Sequence, residues 1–273
     1  MLAGGGTGGH LFPALAIADE LRKISPNAEI LFIGTRHKIE ARVVPHHGYE
    51  FKAIWISGFH RSLRPGNLAF PLKVLVSLVQ SFFVIRDFKP DVVIGTGGYV
   101  CGPVLYAASL LAIATVLHES NSYPGVTTRF LAGRATKVFL GFEHARTWLR
   151  RSDNVELVGT PIRDSLGRAS RADALRFFGL NPHRKTALIV GGSLGAASIN
   201  QVVSQSINAL TESGLQLIWQ TGKNGFEEVI QKISGRNVGW VGAFIERMDL
   251  AYAAADLVVC RAGATTPHAP PRQ

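Results

Sequence analysis

Two α/β domains, each built on a parallel sheet that is wound by helices on both faces, are the fold that the sequence predicts. Short apolar strands alternate with amphipathic helices along the chain, which is typical of β–α units. A turn-rich stretch at Val158–Ser165 divides this alternation into two series. Both series open alike, at residues 2–10 and 187–196, with a strand that runs into glycines and then into a helix.

The elements follow from the hydrophobic pattern. In the first series the predicted strands are Ile30–Ile33, Phe51–Ile56, Asp91–Gly95, Thr115–Leu117, Lys137–Leu140 and Val155–Val158, and the clearest helices are Leu11–Ile24 and Leu72–Phe83. In the second series the predicted strands are Thr186–Val190, Leu215–Gln220, Asn237–Val241 and Leu257–Cys260, and the helices are Arg171–Phe178, Ile199–Leu210 and Phe226–Ile233. We place the domain boundary after Thr160, which gives domains at 1–160 and 161–273.

Composition limits the classes of function. An apolar share of 47% with 18% charged residues describes a globular chain with a substantial core. The formal net charge of +10 suits an anionic partner such as a phosphorylated ligand, an anionic membrane surface or nucleic acid, although a merely basic soluble protein would also show it. Cys101 and Cys260 lie far apart without ligand spacing, which favours two reduced thiols over a disulfide or a zinc site.

One uncharged stretch, residues 92–117, is long enough to cross a bilayer. Its glycines and Pro103 divide it into a strand, a loop, a helix at about Gly102–Leu111 and a second strand. Buried parallel strands are apolar throughout, so we interpret this stretch as part of a sheet domain.

Glycines between a strand and a helix indicate phosphate binding, because the backbone can approach an anion and aim free N–H groups at it. The pattern Gly4-x-Gly6-x-x-Gly9 matches the dinucleotide fingerprint, and a second cluster lies at residues 95–99. A nicotinamide enzyme also needs an acid at the end of the second strand, where this chain has Gly34-Thr35-Arg36. The nicotinamide-dependent oxidoreductase is therefore disfavoured, and the pattern favours a cleft that handles several phosphates.

An ordered set of motifs carries a resemblance. The motifs are Gly5-Gly6-Thr7-Gly8-Gly9-His10, Gly97-Gly98-Tyr99-Val100-Cys101-Gly102-Pro103, His118-Glu119-Ser120-Asn121, Gly159-Thr160-Pro161-Ile162-Arg163 and Gly191-Gly192-Ser193-Leu194-Gly195-Ala196. Together they resemble the MurG family, the UDP-N-acetylglucosamine:undecaprenyl-pyrophosphoryl-N-acetylmuramoyl-pentapeptide N-acetylglucosamine transferases. The resemblance extends to about Thr266.

The resemblance implies a GT-B fold and an inverting transfer of N-acetylglucosamine from UDP-GlcNAc to lipid I, which gives lipid II for peptidoglycan. It also implies a peripheral location on the cytoplasmic face of the bacterial inner membrane, and no nucleic-acid partner. Carried over by position, the donor-binding residues are Thr7, Gly8, Gly9, Asn121, Arg163, Ser193, Ile245, Ala264, Thr265 and Thr266. The implied acceptor-diphosphate residues are Gly6, Gly97, Gly98 and Tyr99.

Two side chains are candidate general bases. His10 ends the first glycine loop, and an imidazole titrates near neutral pH, although a helix-capping histidine would occupy the same place. Glu119 is the alternative base, or it orients His10 or the acceptor hydroxyl. Arg163 and the backbone amides from Ser193 to Ala196 suit the leaving diphosphate. The sequence has no Asp-x-Asp pair, so we expect no protein-bound metal and no cofactor.

Basic and apolar residues mix at residues 60–86. Within the helix Leu72–Phe83, the residues Leu72, Leu75, Val76, Val79 and Phe83 share one face, which is expected to pack in part on the sheet. The remaining apolar side chains (Phe70, Val74, Leu78 and Phe82) and the nearby cations suit shallow insertion into an anionic membrane surface.

After Thr266 the chain departs from the family pattern, because Pro270-Pro271 cannot continue a helix. We therefore expect the second domain to be incomplete and the chain to be cut short at both ends. The alternative to an active transferase is an inactive truncated remnant that keeps lipid or nucleotide-sugar binding.

Overall fold

A computed structural model describes residues 1–58, 70–151, 153–162, 169–192 and 195–261. The chain forms two compact units, residues 1–163 and 164–273, and each is described by itself. The predicted boundary after Thr160 stays a prediction, because residues 163–168 lie outside the described part of the chain.

The first unit contains a seven-stranded parallel sheet. Its strands are β1 (Leu2–Ala3), β2 (Leu31–Gly34), β3 (Glu50–Ala53), β4 (Val92–Gly95), β5 (Ala114–Glu119), β6 (Lys137–Leu140) and β7 (Val155–Leu157). Its helices are α1 (Gly8–Ile24), α2 (Ile39–His46), α3 (Phe70–Phe88), α4 (Cys101–Leu110) and α5 (Val126–Leu131), followed by a 3-10 helix at Glu143–Trp148. The strands lie in the order β3-β2-β1-β4-β5-β6-β7.

This strand order places a topological switch point between β1 and β4. From β1 the chain adds β2 and β3 on one side, and it then returns to add β4 to β7 on the other. Ligands of open parallel sheets bind outside the carboxyl ends of the strands at such a point, because the two outgoing loops diverge there. The predicted glycine loops follow β1 and β4, so both lie at the switch point.

The second unit repeats this design with a four-stranded parallel sheet. Its strands are β8 (Thr186–Val190), β9 (Gln216–Gln220), β10 (Gly239–Gly242) and β11 (Leu257–Cys260), in the order β10-β9-β8-β11. Its helices are α6 (Arg171–Phe178), α7 (Ala197–Gln205), α8 (Ile207–Glu212), α9 (Phe226–Ile233) and α10 (Met248–Ala254). The predicted single helix Ile199–Leu210 is wrong, because the helix is interrupted at Ser206.

Each sheet has a hydrophobic core on both faces, as the prediction of doubly wound sheets requires. In the first unit one core lies under α1 and contains Leu11 and Leu15, and the other lies under α4 and contains Val104 and Leu105. The second unit divides its core in the same way, with Trp219 fully buried on the side of α7 and α9. None of the helices in the described part of the chain is long and apolar enough to cross a bilayer.

The predicted orientation of α3 is wrong. The face that was expected to pack on the sheet is exposed, with exposed fractions of 55%, 61%, 49% and 64% for Leu72, Leu75, Val79 and Phe83. The buried side chains of the helix are Ser77, Ser81 and Ile85. Ser77 and Ser81 each donate a hydrogen bond to a carbonyl oxygen of their own helix, at 2.8 and 2.7 Å. Small side chains that satisfy their own hydroxyls let α3 pack closely on α4. Ile85 is buried with them, whereas Leu72, Leu75, Val79 and Phe83 stay outside.

Asp256 joins three elements at the start of β11. Its Oδ2 accepts hydrogen bonds from the Thr186 N–H at 2.8 Å and the Arg171 guanidinium at 2.9 Å, and Lys185 Nζ lies 3.5 Å from Oδ1. Burial opposes ionisation, but these donors and cations outweigh it and lower the pKa of Asp256 to about 2. The ionised carboxylate therefore stabilises the second unit.

We expect Asp256→Asn to lower the local stability of the β8–β11 pair by about 1 kcal/mol at pH 7, since solvent screens part of the effect of the lowered pKa. An unfolded Asp titrates at about pH 4, so the contribution is complete above that pH and is lost as the pH falls towards about 2. Hydrogen exchange of peptides at 186–190 and 257–260 measures it, and the difference from the unsubstituted chain should shrink to about half by pH 3. The exposed Glu212→Gln is the control, and an equal difference at pH 3 and pH 7 would contradict the assignment.

Candidate active site

The glycine loops after β1 and β4 lie against each other at the carboxyl edge of the first sheet. A Cβ built on Gly97 would lie 2.5 Å from Nδ1 of His10, and one built on Gly98 would lie 2.5 Å from the Gly5 carbonyl oxygen. Gly97 and Gly98 also have φ values of 102° and 84°, which disfavour any other residue. The structure thus brings the predicted base and two predicted acceptor-diphosphate glycines together.

Tyr99 and Gly6, the other two predicted acceptor residues, are also in contact. A Cβ on Gly6 would lie 2.9 Å from Cε1 of the Tyr99 ring. Thr7 is the N-cap of α1, and Gly8 and Gly9 are its first two residues, whose N–H groups have no acceptor one turn back in the helix. The four predicted acceptor residues and these three predicted donor residues therefore form one backbone-rich surface.

The orientation of His10 is fixed by Thr96. Nδ1 of His10 lies 3.1 Å from the Thr96 carbonyl oxygen, and the Thr96 hydroxyl donates to the His10 carbonyl oxygen at 2.7 Å. A carbonyl oxygen only accepts, so Nδ1 carries the proton of this bond. In the neutral imidazole, Nε2 then holds the free lone pair, which is the arrangement that a general base requires.

Cys101, the first residue of α4, is hydrogen-bonded to both the second glycine loop and the end of β1. Its Sγ accepts the Gly97 N–H at 3.2 Å and lies 2.9 Å from the Ala3 carbonyl oxygen and 3.0 Å from that of Gly97. The residue is fully buried, and burial raises the pKa of its thiol to about 12. Cys101 therefore acts as a hydrogen-bonding group that links β1 to the Gly97 loop.

Glu119, the alternative base, is buried at the end of β5 and all its described partners are local. Oε1 accepts from the backbone and side-chain amides of Asn121 at 3.0 and 2.7 Å. Oε2 accepts from the Gly125 N–H at 3.0 Å and the Thr128 hydroxyl at 2.6 Å. Four donors on one carboxylate favour a role in shaping the loop that carries Asn121 over a role in proton transfer.

Glu40 is a buried carboxylate that the sequence analysis missed. It lies in the first turn of α2 and accepts the Gly6 N–H at 3.0 Å. It also accepts the backbone N–H and the hydroxyl of Thr35, at 3.1 and 2.8 Å. A dinucleotide-type acid would lie at the end of the second strand, at residues 34–36, whereas Glu40 lies in the first turn of the helix that follows. An acid at the start of a helix that follows Gly34-Thr35 was the available signal.

In the second unit the loops after β8 and β10 are joined by Gln220, another missed residue. Its Nε2 donates to the Gly192 carbonyl oxygen at 2.8 Å, and its Oε1 accepts the N–H of Ile245 at 2.8 Å. Gly195 approaches the Thr221 carbonyl oxygen so closely that a Cβ could not be accommodated. The predicted donor residue Ile245 is thus fixed relative to the glycine loop of its unit. The predicted donor residues outside the described part of the chain are Arg163, Ser193, Ala264, Thr265 and Thr266.

Known proteins match both units. Residues 1–140 match the Glycosyltransferase family 28 N-terminal domain, and residues 186–267 match the Glycosyltransferase family 28 C-terminal domain. The UDP-N-acetylglucosamine–N-acetylmuramyl-(pentapeptide) pyrophosphoryl-undecaprenol N-acetylglucosamine transferase of Flavobacterium psychrophilum is 46% identical over 268 residues, which are 97% of this chain and 72% of that protein. The chain belongs to this transferase family, the MurG family.

Two further comparisons agree with MurG membership. The transferase of the same name from Christiangramia forsetii is 44% identical over 266 residues, covering 97% of this chain and 72% of that protein. The crystal structure of MurG from Acinetobacter baumannii superposes with a TM-score of 0.64 at 30% identity, over 97% of this chain and 72% of that one. The predicted fold of two Rossmann-like domains of the GT-B type is confirmed, and so is the predicted family. The roles of individual site residues stay predictions.

Gly97→Ala tests the close approach of the two loops. We expect it to displace the His10 ring and to lower the free energy of unfolding by about 1–3 kcal/mol, because the new Cβ overlaps Nδ1 and the left-handed backbone is strained. Thermal unfolding and the imidazole nitrogen NMR signals of His10 measure the two effects. Gly133→Ala is the matched control, since a Cβ there meets nothing within 4 Å. An unchanged His10 signal in Gly97→Ala would refute the contact.

Proposed function

We propose that this chain transfers N-acetylglucosamine from UDP-GlcNAc to lipid I, with inversion at the anomeric carbon, to give lipid II. The observation that carries the proposal is the placement of His10. Its ring lies between two glycine loops at a topological switch point, with Nδ1 bound to Thr96 and Nε2 left as the acceptor. MurG family membership supplies the substrates, because the relatives are named for this transfer.

In the proposed reaction, the acceptor hydroxyl attacks C1 of the donor sugar while Nε2 of His10 takes its proton. The bond between C1 and the phosphate oxygen breaks, and UDP leaves with the electron pair. The loops at Gly6 and at Gly97 and Gly98 suit the acceptor diphosphate, and the amides of Gly8 and Gly9, at the positive end of α1, belong to the proposed donor contacts. Glu119 contributes by holding the loop that carries Asn121, a proposed donor contact.

The donor is proposed to bind mainly to the second unit. The loop at Gly191 and Gly192, joined through Gln220 to the N–H of Ile245, suits a nucleotide whose diphosphate and base contact different loops. The proposed donor-binding residues also include Arg163, Ser193 and Ala264–Thr266, which lie outside the described part of the chain. No metal or other cofactor enters the proposal, because the backbone amides of the glycine loop after β8 are proposed to stabilise the charge of the leaving diphosphate.

An exposed apolar face on the first unit supports attachment to a membrane. Leu72, Leu75, Val79 and Phe83 form one stripe along α3, and Leu110, at the end of the neighbouring helix α4, is 63% exposed. Arg86 lies on the same helix, over the Phe82 ring at 5.7 Å. A contiguous apolar surface beside a cation suits shallow insertion into an anionic bilayer. We therefore propose a peripheral location on the cytoplasmic face of the inner membrane, where lipid I is available.

Turnover of the chain decides between the transferase and the alternative of a non-catalytic remnant. Labelled UDP-GlcNAc is mixed with a lipid I analogue, and the labelled disaccharide lipid is counted. Turnover supports the proposal. Binding of UDP-GlcNAc without turnover would leave the remnant as the function.

We expect His10→Asn to lower kcat by about 10²–10⁴-fold, because the base is lost. The asparagine amide can still donate to the Thr96 carbonyl oxygen, so the loops and the KM for the acceptor should change little. The measurement is kcat across a pH series, in which the limb due to the base disappears. His183→Asn, an exposed substitution in the second unit, is the control. A variant with kcat within a few-fold of the unsubstituted chain would remove His10 from the mechanism.

Replacing Leu75, Val79 and Phe83 together by Ser should weaken binding to vesicles of phosphatidylglycerol and phosphatidylcholine by at least about tenfold, since each apolar side chain contributes on the order of 1 kcal/mol or more. Vesicle sedimentation measures the partition coefficient. The matched control removes three exposed apolar side chains of the second unit, Phe177, Val202 and Ile230. If the control weakens binding as much, the α3 face is not the membrane contact.

A further inference from the structure

We propose that Glu40 is the positioning residue that fixes the first anion-binding loop of the first unit, and through the contact of Gly6 with Tyr99 the second loop, and thereby sets the affinity for the acceptor diphosphate. This inference rests on the proposed function, because it concerns the acceptor site of that reaction. Its physical content is a buried carboxylate that joins the first glycine loop to the end of β2 from the first turn of α2.

Glu40 is completely buried, yet its three described hydrogen-bond partners are neutral. They are the Gly6 N–H, the Thr35 N–H and the Thr35 hydroxyl. A buried carboxylate is costly unless donors satisfy it, and here the donors come from the first glycine loop and from the end of β2. The carboxylate is therefore stabilised by the same backbone N–H groups whose positions it fixes.

Two glycines make room for this carboxylate. A Cβ on Gly5 would lie 2.6 Å from Cδ of Glu40, and a Cβ on Gly34 would lie 2.5 Å from its Cγ. Neither glycine has a positive φ, so backbone conformation does not require glycine at either position. At Gly5 the requirement that the structure shows is the space occupied by Glu40. At Gly34 Glu40 shares that space with the Phe51 ring, whose Cε2 would lie 2.7 Å from the added Cβ.

The path of contacts continues from Gly6 to the second loop. A Cβ on Gly6 would lie 2.9 Å from Cε1 of the Tyr99 ring, so the ring rests against the backbone whose N–H Glu40 accepts. Burial raises the pKa of Tyr99, and the Glu40 charge also raises it. One path of contacts therefore runs from Glu40 through Gly6 to Tyr99, and it joins two of the four proposed acceptor-diphosphate residues.

The sign of the effect separates positioning from simple electrostatics. A carboxylate beneath a phosphate-binding loop repels the phosphate, so charge alone predicts that its neutralisation tightens acceptor binding. Positioning predicts the opposite. In Glu40→Gln one carboxylate oxygen becomes an NH2 group, which donates and cannot accept. This group must face either the Gly6 N–H or the Thr35 donors, so at least one of these hydrogen bonds is replaced by a repulsive contact between two donors.

The experiment compares Glu40→Gln with Glu29→Gln, an exposed carboxylate of the same unit. We expect the KM for a lipid I analogue to rise at least about tenfold in Glu40→Gln and the Kd of UDP to stay within about twofold. Partial misfolding would reduce the fraction of active protein and so lower the apparent kcat, but it would leave the acceptor KM and the Kd of UDP unchanged. An acceptor KM that falls or stays constant would overturn the proposal.

Hydrogen exchange gives a second readout that does not need turnover. Peptides at 4–10 and 96–101 should exchange faster in Glu40→Gln. Thr35→Val removes one of the three donors to Glu40, so it should speed exchange at the same two peptides to a smaller extent and leave the rest of the unit unchanged. If Glu40→Gln loosens the unit as a whole, the Thr35→Val pattern decides. Unchanged exchange at both loops would overturn the role of Glu40, whereas absence of turnover in the unsubstituted chain would overturn the proposed function alone.

Discussion

The close approach of two glycine loops at the β1–β4 switch point is the constraint on which the first unit depends. Because Gly97 and Gly98 have no side chains, the second loop can lie directly on His10 and Gly5. The same contact brings the Thr96 carbonyl oxygen to Nδ1 and so fixes the tautomer of the neutral imidazole. Backbone geometry thus gives His10 the tautomer that the proposed proton transfer requires.

Both buried carboxylates of this edge are satisfied in the same manner. Glu40 and Glu119 accept hydrogen bonds from amides and hydroxyls of the loops that they support. A cation paired with either would offer a competing contact for a diphosphate ligand. Neutral donors avoid that competition and leave the free amides of α1 as the electropositive surface. In the second unit Gln220 likewise links two loops without a charge, because its side-chain amide both donates and accepts a hydrogen bond.

The succession of strands and helices along the chain and the positions of the glycine loops could be predicted from sequence, because each depends on local patterns of apolar residues and glycines. The residues that were missed depend on contacts between distant segments. Glu40 acquires its role only when the β2–α2 connection folds back on Gly6, 34 positions earlier in the chain. The orientation of α3 failed for another reason: hydrophobicity places Leu75 and Phe83 inside, but close packing of helices favours Ser77 and Ser81 there. The donor side of the site was predicted mostly through family resemblance, and five of its residues lie beyond the described ranges.

The thiol of Cys101 has a practical consequence for chemistry on this protein. Nucleophilic attack on alkylating reagents or peroxides requires a thiolate, and a buried thiol with a pKa of about 12 supplies almost none at neutral pH. Cys260, the other cysteine, is partly accessible at the end of β11. A maleimide dye would therefore label the second unit selectively at Cys260, and the first unit would keep its native surface.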